Sequence, residues 1–159
     1  MLITPNFLVA AIVSTFIGAG TVLSAVDAEA SMKAGAKFII SPNMNVETIA
    51  ATKKLGVISI PGAYTATEVV NAYSNGGDII KIFPATNAEY IKVLRGPLSH
   101  IPMMPTGGIT SENVSGFKET GAVAFGIGTS LVDVKHKITE ESLKRITENA
   151  RKFVQAIAD

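Results

Sequence analysis

The sequence predicts an α/β fold built from serial strand–helix units, with six strands readable along the 159 residues. Short apolar runs recur, amphipathic segments separate them, and glycines return before the strands at a spacing of about 20 residues. The runs are mostly continuous in apolar residues rather than alternating, which is typical of parallel strands covered on both faces. The six runs span residues 16–23, 37–42, 57–64, 78–85, 101–109 and 122–132.

The segments between the runs carry the sequence signals of helices. Ser24 with Asp27, and Thr65 with Glu68, have the spacing of a capping box. Residues 139–158 place apolar side chains on one helical face and are predicted to form a closing helix. Four glycines follow helical patterns and precede runs, where a left-handed C-terminal cap is expected: Gly35, Gly56, Gly76 and Gly121.

Six such strands fit either an open doubly wound sheet or a (β/α)8 barrel. No GxGxxG opens a helix after the first run, which argues against a dinucleotide site. Polar and glycine residues gather at the carboxyl ends of the runs, which is the active face of a barrel. If the last two runs are strands 7 and 8, two earlier βα units need roughly 40 residues. Only 15 residues precede Phe16, so we expect a barrel truncated at its N-terminus, with about six of its eight strands readable.

Composition narrows the functional classes. Lys plus Arg number 14 and Asp plus Glu 13, a net charge of +1 that argues against a nucleic-acid partner. The chain has no cysteine, which excludes disulfides and thiolate chemistry, and His100 and His136 stand in no ligand-spaced motif, so no metal is expected. The apolar N-terminal segment lacks a basic lead-in and is too short to span a bilayer. We therefore expect a cytoplasmic protein with no membrane partner.

Lys81 stands inside the apolar run DIIKIFPA. Lysine is rarely buried unless it is paired or functional. Strand alternation places Ile79 and Phe83 on the inward face with Lys81. It places Ile80 and Ile82 on the opposite face, toward the helices. A desolvated amine has a lowered pKa, and its neutral form can make a Schiff base with a ketone. The alternative is a lysine at a strand end that extends its amine to solvent.

Two glycine turns predict an anion site. PTGGI at 105–109 and GIGTS at 126–130 close the last two runs, and glycines let backbone N–H groups approach an anion. Each motif alone also suits a tight strand-to-helix turn. Together at the ends of the last two strands they indicate a phosphate site. Thr21 ends the first run, where its hydroxyl could hold a substrate carboxylate or serve in a turn or helix cap.

Seven motifs, in order and spacing over roughly residues 17–155, resemble the class I aldolases that act on 2-keto-3-deoxy-6-phosphogluconate and 4-hydroxy-2-oxoglutarate (the KDPG/KHG aldolases). They are IGAGTVL, FIISP, IPGAYTATEVVNA, DIIKIFPA, KVLRGPL, PMMPTGGI and GIGTSLV. The resemblance implies one (β/α)8 barrel domain over residues 1–159, with 1–16 an atypical remnant of the early βα units. It implies a homotrimer that needs no cofactor or metal. It also implies a lyase of carbohydrate metabolism that cleaves a 2-keto-3-deoxy-6-phospho sugar acid to pyruvate and glyceraldehyde 3-phosphate.

The resemblance also implies residue roles. Lys81 matches the family's Schiff-base lysine, and Thr21 matches the threonine that contacts the pyruvate carboxylate. Phe83 matches an aromatic residue that lines the pocket, and Thr129 stands where the family usually has a phosphate-binding serine. The substrate-binding positions implied are Thr21, Phe83, Thr106, Gly107, Gly108 and Thr129.

The chain departs from the family pattern in its early strands. The family's general acid/base is a glutamate in a segment reading like E-[VI]-T, and an arginine in the early strands holds the carboxylate. Leu2 stands where that glutamate is expected, and no acidic residue precedes Asp27. Losing the proton-transfer group is expected to slow cleavage by roughly 10²- to 10⁴-fold. Two alternatives remain: a phosphate-binding barrel isomerase or epimerase in which Lys81 acts electrostatically, or a non-catalytic chain that binds ligand or completes itself by oligomerising.

Overall fold

The computed structural model describes residues 16–133 and 137–158, which contain six helices and five short strands. The N-terminal segment with Leu2, and His136, lie outside the described residues. The helices are α1 (Ala25–Lys33), α2 (Val46–Lys54), α3 (Ala66–Ser74), α4 (Ala88–Arg95), α5 (Val114–Glu119) and α6 (Glu140–Ala158). The strands are β1 (Phe38–Ile40), β2 (Ile58–Ile60), β3 (Gly62–Ala63), β4 (Ile80–Ile82) and β5 (Met103–Pro105). None of the helices in this part of the chain is long and apolar enough to cross a membrane.

All strand pairs are parallel, and their spatial order follows the order of the chain. β1 pairs with β2, β3 with β4, and β4 with β5. Single bridges extend this row at both ends, from Ala19 to Ile39 and from Thr106 to Gly126. β2 and β3 are one run of chain interrupted at Pro61, which has no N–H to donate to a ladder. Because the described row never reverses its order, it differs from the doubly wound sheet that the sequence left open.

The structure revises the six predicted strands. The runs 16–23 and 122–132 contribute isolated bridges rather than regular strands, and the run 57–64 is divided in two. Glycines account for the lack of regular strands in the two outer runs. Four positions there have no side chain to pack on a pleated surface: Gly18, Gly20, Gly126 and Gly128. Within residues 16–133 and 137–158 the two end segments do not pair with each other, so the strands there form an open parallel array.

Capping residues place the helices as the sequence predicts. The Thr65 hydroxyl accepts from the Glu68 N–H, and the Glu68 carboxylate accepts from the Thr65 N–H, which completes the predicted capping box. The Ser24 hydroxyl accepts from the Asp27 N–H, but the Asp27 carboxylate accepts from that hydroxyl rather than from the backbone. The four glycines predicted to end helices all have positive φ, between 74° and 102°. The closing helix is α6, within one residue of its predicted bounds at the N-terminal end.

The main core lies between the strands and the helices that follow them. Ile80 and Ile82 of β4 are fully buried there, against side chains of α3, α4 and α5. Phe153 of α6 joins the same cluster, so the closing helix is packed against the second half of the row. This helix-facing layer fixes β4, and with it the side chain that projects from the other face of the strand.

We expect Gly62→Ala to destabilise the fold. A Cβ atom at Gly62 would lie 2.3 Å from the backbone carbon and oxygen of Pro42, so the chain beside β3 would have to move. Such overpacking lowers the free energy of unfolding by about 1–3 kcal/mol, measured by urea denaturation. Gly128→Ala is the matched control, because a Cβ there meets no atom within 4 Å. Equal effects of the two substitutions would contradict this account.

Candidate active site

Lys81 lies on the face of β4 that is opposite to the helix-facing core. Ile80 and Ile82, on either side of it in sequence, are fully buried among the helices, as predicted. In the parallel register Lys81 stands between Gly62 of β3 and Met104 of β5. One neighbour has no side chain and the other is an apolar, buried thioether. The amine therefore stands in surroundings that offer it little solvation by polar groups.

The ring of Phe83 covers the amine. The Lys81 Nζ atom lies 4.6 Å from the ring centroid, within the range of a cation–π contact. The ring itself is 41% exposed and Lys81 is half-buried, so the ring shields the amine without enclosing it completely. Burial lowers the pKa of Lys81 from its ordinary value of 10.5, because desolvation disfavours the charged form. This is the direction that a nucleophilic amine requires.

The first glycine turn adjoins the Phe83 ring. Gly107 and Gly108 have φ of 90° and 74°, conformations that other residues rarely adopt. A Cβ atom at Gly107 would lie 3.3 Å from the Cε2 atom of Phe83. The amine, the ring and the turn are therefore contiguous, as the sequence interpretation requires.

The second turn is tied to the first. Gly126 donates its N–H to the Pro105 carbonyl, and the Ser130 hydroxyl donates to the Ile109 carbonyl over 2.6 Å. Within the described residues several backbone N–H groups of the two turns have no acceptor: those of Gly107, Gly108, Ile109, Gly128 and Thr129. Unpaired N–H groups on adjacent turns form a positive concavity that suits an anion.

The threonines of this region take different positions. The Thr106 hydroxyl donates to the Met104 carbonyl over 3.2 Å and packs against the backbone of Gly126. It holds the last strand and the following loop together, so the free donors of the turn belong to the backbone. Thr129 is exposed and lines a cavity of about 360 Å³ with Ser142 and Arg145 on α6.

Thr21 lies apart from Lys81 in the row, at the carboxyl end of the run 16–23. It is exposed, and its φ of 60° makes it the one non-glycine residue with positive φ in the described part of the chain. This conformation is unfavourable for a β-branched residue, and such strain concentrates at functional sites. The structure places Thr21 at the same end of the strands as the glycine turns but shows no contact between it and Lys81.

A smaller cavity lies beside Phe83. It measures about 200 Å³, and its walls include Asn43, Gly62, Tyr64, Glu68 and Phe83. Tyr64 is stacked on Tyr90 at 4.8 Å between ring centroids. The Glu68 carboxylate accepts from the N–H groups of Tyr64 and Thr65, and these hydrogen bonds hold its pKa below the usual value. The sequence identified Glu68 as a helix cap, and its place in this cavity follows only from the fold.

No cluster of three potential metal-ligating side chains occurs in residues 16–133 and 137–158. Lys81 likewise forms no ion pair with any described carboxylate. Around Lys81 the described residues place an amine beside backbone N–H donors.

Replacing Phe83 with leucine should lower the pKa of Lys81 further. The aromatic face stabilises the protonated amine, while leucine keeps an apolar side chain without that attraction. An exposed cation–π contact contributes about 0.5–1 kcal/mol, which corresponds to roughly half a pKa unit. The measurement is the pH dependence of acylation at Lys81, followed by peptide mass spectrometry, with Lys92 as an internal reference. A rise in the pKa would show that the ring acts only as a shield from water.

Thr21→Gly is expected to raise the free energy of unfolding by about 1 kcal/mol. A positive φ costs a threonine roughly 1–3 kcal/mol, and glycine removes this strain. Glycine also loses about 0.5–1 kcal/mol more chain entropy on folding, which offsets part of the gain. Thr21→Ala is the control, because alanine removes the hydroxyl and keeps the strain. Both variants are compared by thermal and urea unfolding. If glycine stabilises no more than alanine, the conformation at Thr21 is not strained.

The chain matches a family model and several curated proteins. A family model described as KDPG and KHG aldolase matches residues 6–149. The 2-dehydro-3-deoxy-6-phosphogalactonate aldolase of Escherichia coli (strain K12) is 34% identical over 143 residues, which cover 88% of this chain and 67% of the relative. The chain spans about half to two thirds of the length of the first curated relatives that it matches.

Solved structures show the same relationship. A structure described as native KDPGal is 33% identical, with a TM-score of 0.83 over 90% of this chain and 68% of that chain. The KDPG aldolase of Legionella pneumophila, with pyruvate captured as a covalent carbinolamine, is 28% identical with a TM-score of 0.66. That alignment covers 91% of this chain and 68% of the other. The family match over most of the sequence and the shared fold show that the chain belongs to the KDPG and KHG aldolase family.

Proposed function

We propose that the chain captures 2-keto acids as a Schiff base on Lys81 and acts as a class I aldolase on 2-keto-3-deoxy-6-phospho sugar acids. The observation that carries the proposal is the position of the Lys81 amine, shielded by Phe83 and next to a turn with unpaired N–H groups. A nucleophile and an anion-binding turn are the two groups that such a substrate requires. The names of the matched aldolases include both gluconate- and galactonate-derived acids, so the proposed substrate is the class that contains them.

The proposed reaction begins with the neutral amine. Its nitrogen attacks the C2 carbonyl carbon, and with one proton taken up from water the carbonyl oxygen leaves as water to give the protonated imine. The C3–C4 bond then breaks, its electron pair moves toward the imine nitrogen, and the proton of the C4 hydroxyl leaves as the aldehyde forms. Protonation of the resulting enamine at C3 and hydrolysis release pyruvate and the free amine.

Two regions hold the ends of the substrate in this proposal. The N–H groups of Gly107 and Gly108, with the Thr129 hydroxyl, bind the phosphate, while Thr106 holds the turn beside Gly126. The Thr21 hydroxyl binds the carboxylate, and its unusual backbone conformation supports a functional role. Phe83 lines the space between them.

Proton transfer is the weak step of the proposed mechanism. Among the described residues no carboxylate pairs with Lys81, and Glu68, in the cavity beside Phe83, is engaged as a helix cap. We therefore expect water to carry protons, with imine formation retained and cleavage slower than in an aldolase with a positioned acid/base group by roughly 10²- to 10⁴-fold. The proposal also includes a single (β/α)8-type domain and assembly as a homotrimer, both implied by the family resemblance.

Borohydride reduction in the presence of pyruvate tests the proposal. We expect a reduced pyruvate adduct on the peptide that contains Lys81, and its yield should increase with pH toward the lowered pKa as more of the amine becomes neutral. Lys81→Met should abolish the adduct, whereas Lys92→Met, at an exposed lysine of α4, should not change it.

Three results would count against this function. An adduct that persists in Lys81→Met would assign the chemistry to another amine. Absence of the adduct with retained binding of a sugar phosphate would favour an isomerase or epimerase in which Lys81 acts electrostatically. Absence of both would leave a non-catalytic chain.

A further inference from the structure

Asn113 stands at the start of α5 but does not cap it. At four other helices the side-chain oxygen of the preceding residue accepts a hydrogen bond from the third N–H of the helix, namely at Ser24, Asn45, Thr65 and Asn87. The Asn113 side chain makes no such bond. Its Nδ2 atom donates to the Gly108 carbonyl over 2.9 Å, and its Oδ1 atom accepts from the Thr110 N–H over 2.8 Å. The Asn113 side chain therefore bonds to the glycine turn and not to the first turn of the helix, where it would be a favourable cap.

Ser130 holds the same turn from the other side. Its hydroxyl donates to the Ile109 carbonyl over 2.6 Å, across 21 residues of sequence. Two consecutive carbonyls of the turn, those of Gly108 and Ile109, are therefore each bound by a side-chain donor. One donor comes from the start of α5 and the other from the loop that follows the Thr106–Gly126 bridge.

The bond from Asn113 determines where one N–H group of the turn points. The bond from Ser130 holds the next peptide plane, whose Thr110 N–H donates to the Asn113 side chain. In a trans peptide the C=O and the N–H point in opposite directions. When Asn113 holds the Gly108 carbonyl, the N–H of Ile109 in the same peptide is directed away from Asn113. That N–H, like those of Gly107 and Gly108, has no acceptor among the described residues. The carbonyls, which would repel an anion, are turned toward the two side chains.

We propose that Asn113 and Ser130 are positioning residues of the turn 107–109 and so determine the affinity for phosphorylated ligands. Asn113 aims the Ile109 N–H at the phosphate group, and Ser130 holds the peptide plane that follows Ile109. This inference rests on the proposed function, because it assumes that the turn binds the phosphate. Preorganised N–H groups bind an anion without reorganisation at the moment of binding, which is why holding the carbonyls affects affinity. Neither side chain touches the amine of Lys81 in the structure, so imine formation is independent of them.

The test measures two properties of the full chain: the dissociation constant of inorganic phosphate by isothermal titration, and pyruvate trapping at Lys81 by borohydride. The variants are Ser130→Ala, Ser130→Thr and Asn113→Ala. Ser111→Ala is the matched control, because the Ser111 hydroxyl donates only to the neighbouring Glu112 carboxylate. Thermal unfolding verifies that each variant is folded, and the Ser130 series suffices if Asn113→Ala is not.

We expect Ser130→Ala to weaken phosphate binding roughly fivefold, the effect of one lost neutral hydrogen bond. Ser130→Thr should restore binding, Ser111→Ala should not alter it, and all variants should trap pyruvate equally. Equal phosphate affinity in Ser130→Ala and wild type would overturn the inference. Parallel loss of phosphate binding, trapping and thermal stability would also overturn it, since that pattern indicates a merely structural role. If the wild type traps pyruvate but binds no phosphate, the anion site and its positioning residues are wrong while the Schiff-base proposal stands.

Discussion

Alternation along β4 places Ile80 and Ile82 in the helix-facing core and leaves Lys81 on the opposite face. The rest of the site depends on this register. It is held by hydrogen bonds on both sides of the strand, from the Lys81 N–H to the Pro61 carbonyl and from the Ile80 N–H to the Pro102 carbonyl. A slip of one residue would bury the amine among the helices and expose two isoleucines, a change that the core strongly opposes. The apolar layer thus stabilises the fold and orients the reactive group together.

The anion-binding features are mainly backbone features. Threonine hydroxyls in the sequence suggested side-chain donors, but the Thr106 hydroxyl is engaged with the Met104 carbonyl, while N–H groups of the turns remain unpaired. Backbone donors need glycine for close approach and need neighbouring side chains to hold the peptide planes. The turn 107–109 has both: glycines at 107 and 108, and the side chains of Asn113 and Ser130 on the carbonyls of Gly108 and Ile109.

Strand alternation, helix capping and helical periodicity predicted much of this fold, because each depends only on residues close together in the sequence. The burial of Ile80 and Ile82, the capping box at Thr65 and the closing helix follow from periodicity and spacing. The division of the third run at Pro61 has a local signal in proline, but which strand each half would join has none. Ser130 lay within a quoted motif, yet its bond to Ile109 depends on how two loops meet in space, and no spacing rule predicts that.

The features that lower the stability of the folded state and those that raise it lie in different places along the strands. Because the pKa of Lys81 is lower in the folded state than its ordinary value of 10.5, the charged amine reduces the free energy of unfolding. This cost is full below the folded pKa and declines as pH rises from there toward 10.5. The positive φ of Thr21 is a second cost at the same, carboxyl end of the strands. On the helix-facing side Ile80 and Ile82 of β4 and Met103 of β5 are fully buried and apolar, and Ile109 of the following turn packs with them. Among the described residues these two unfavourable features lie at the end of the strands where the proposed substrate would bind, and selection for stability alone would tend to remove them.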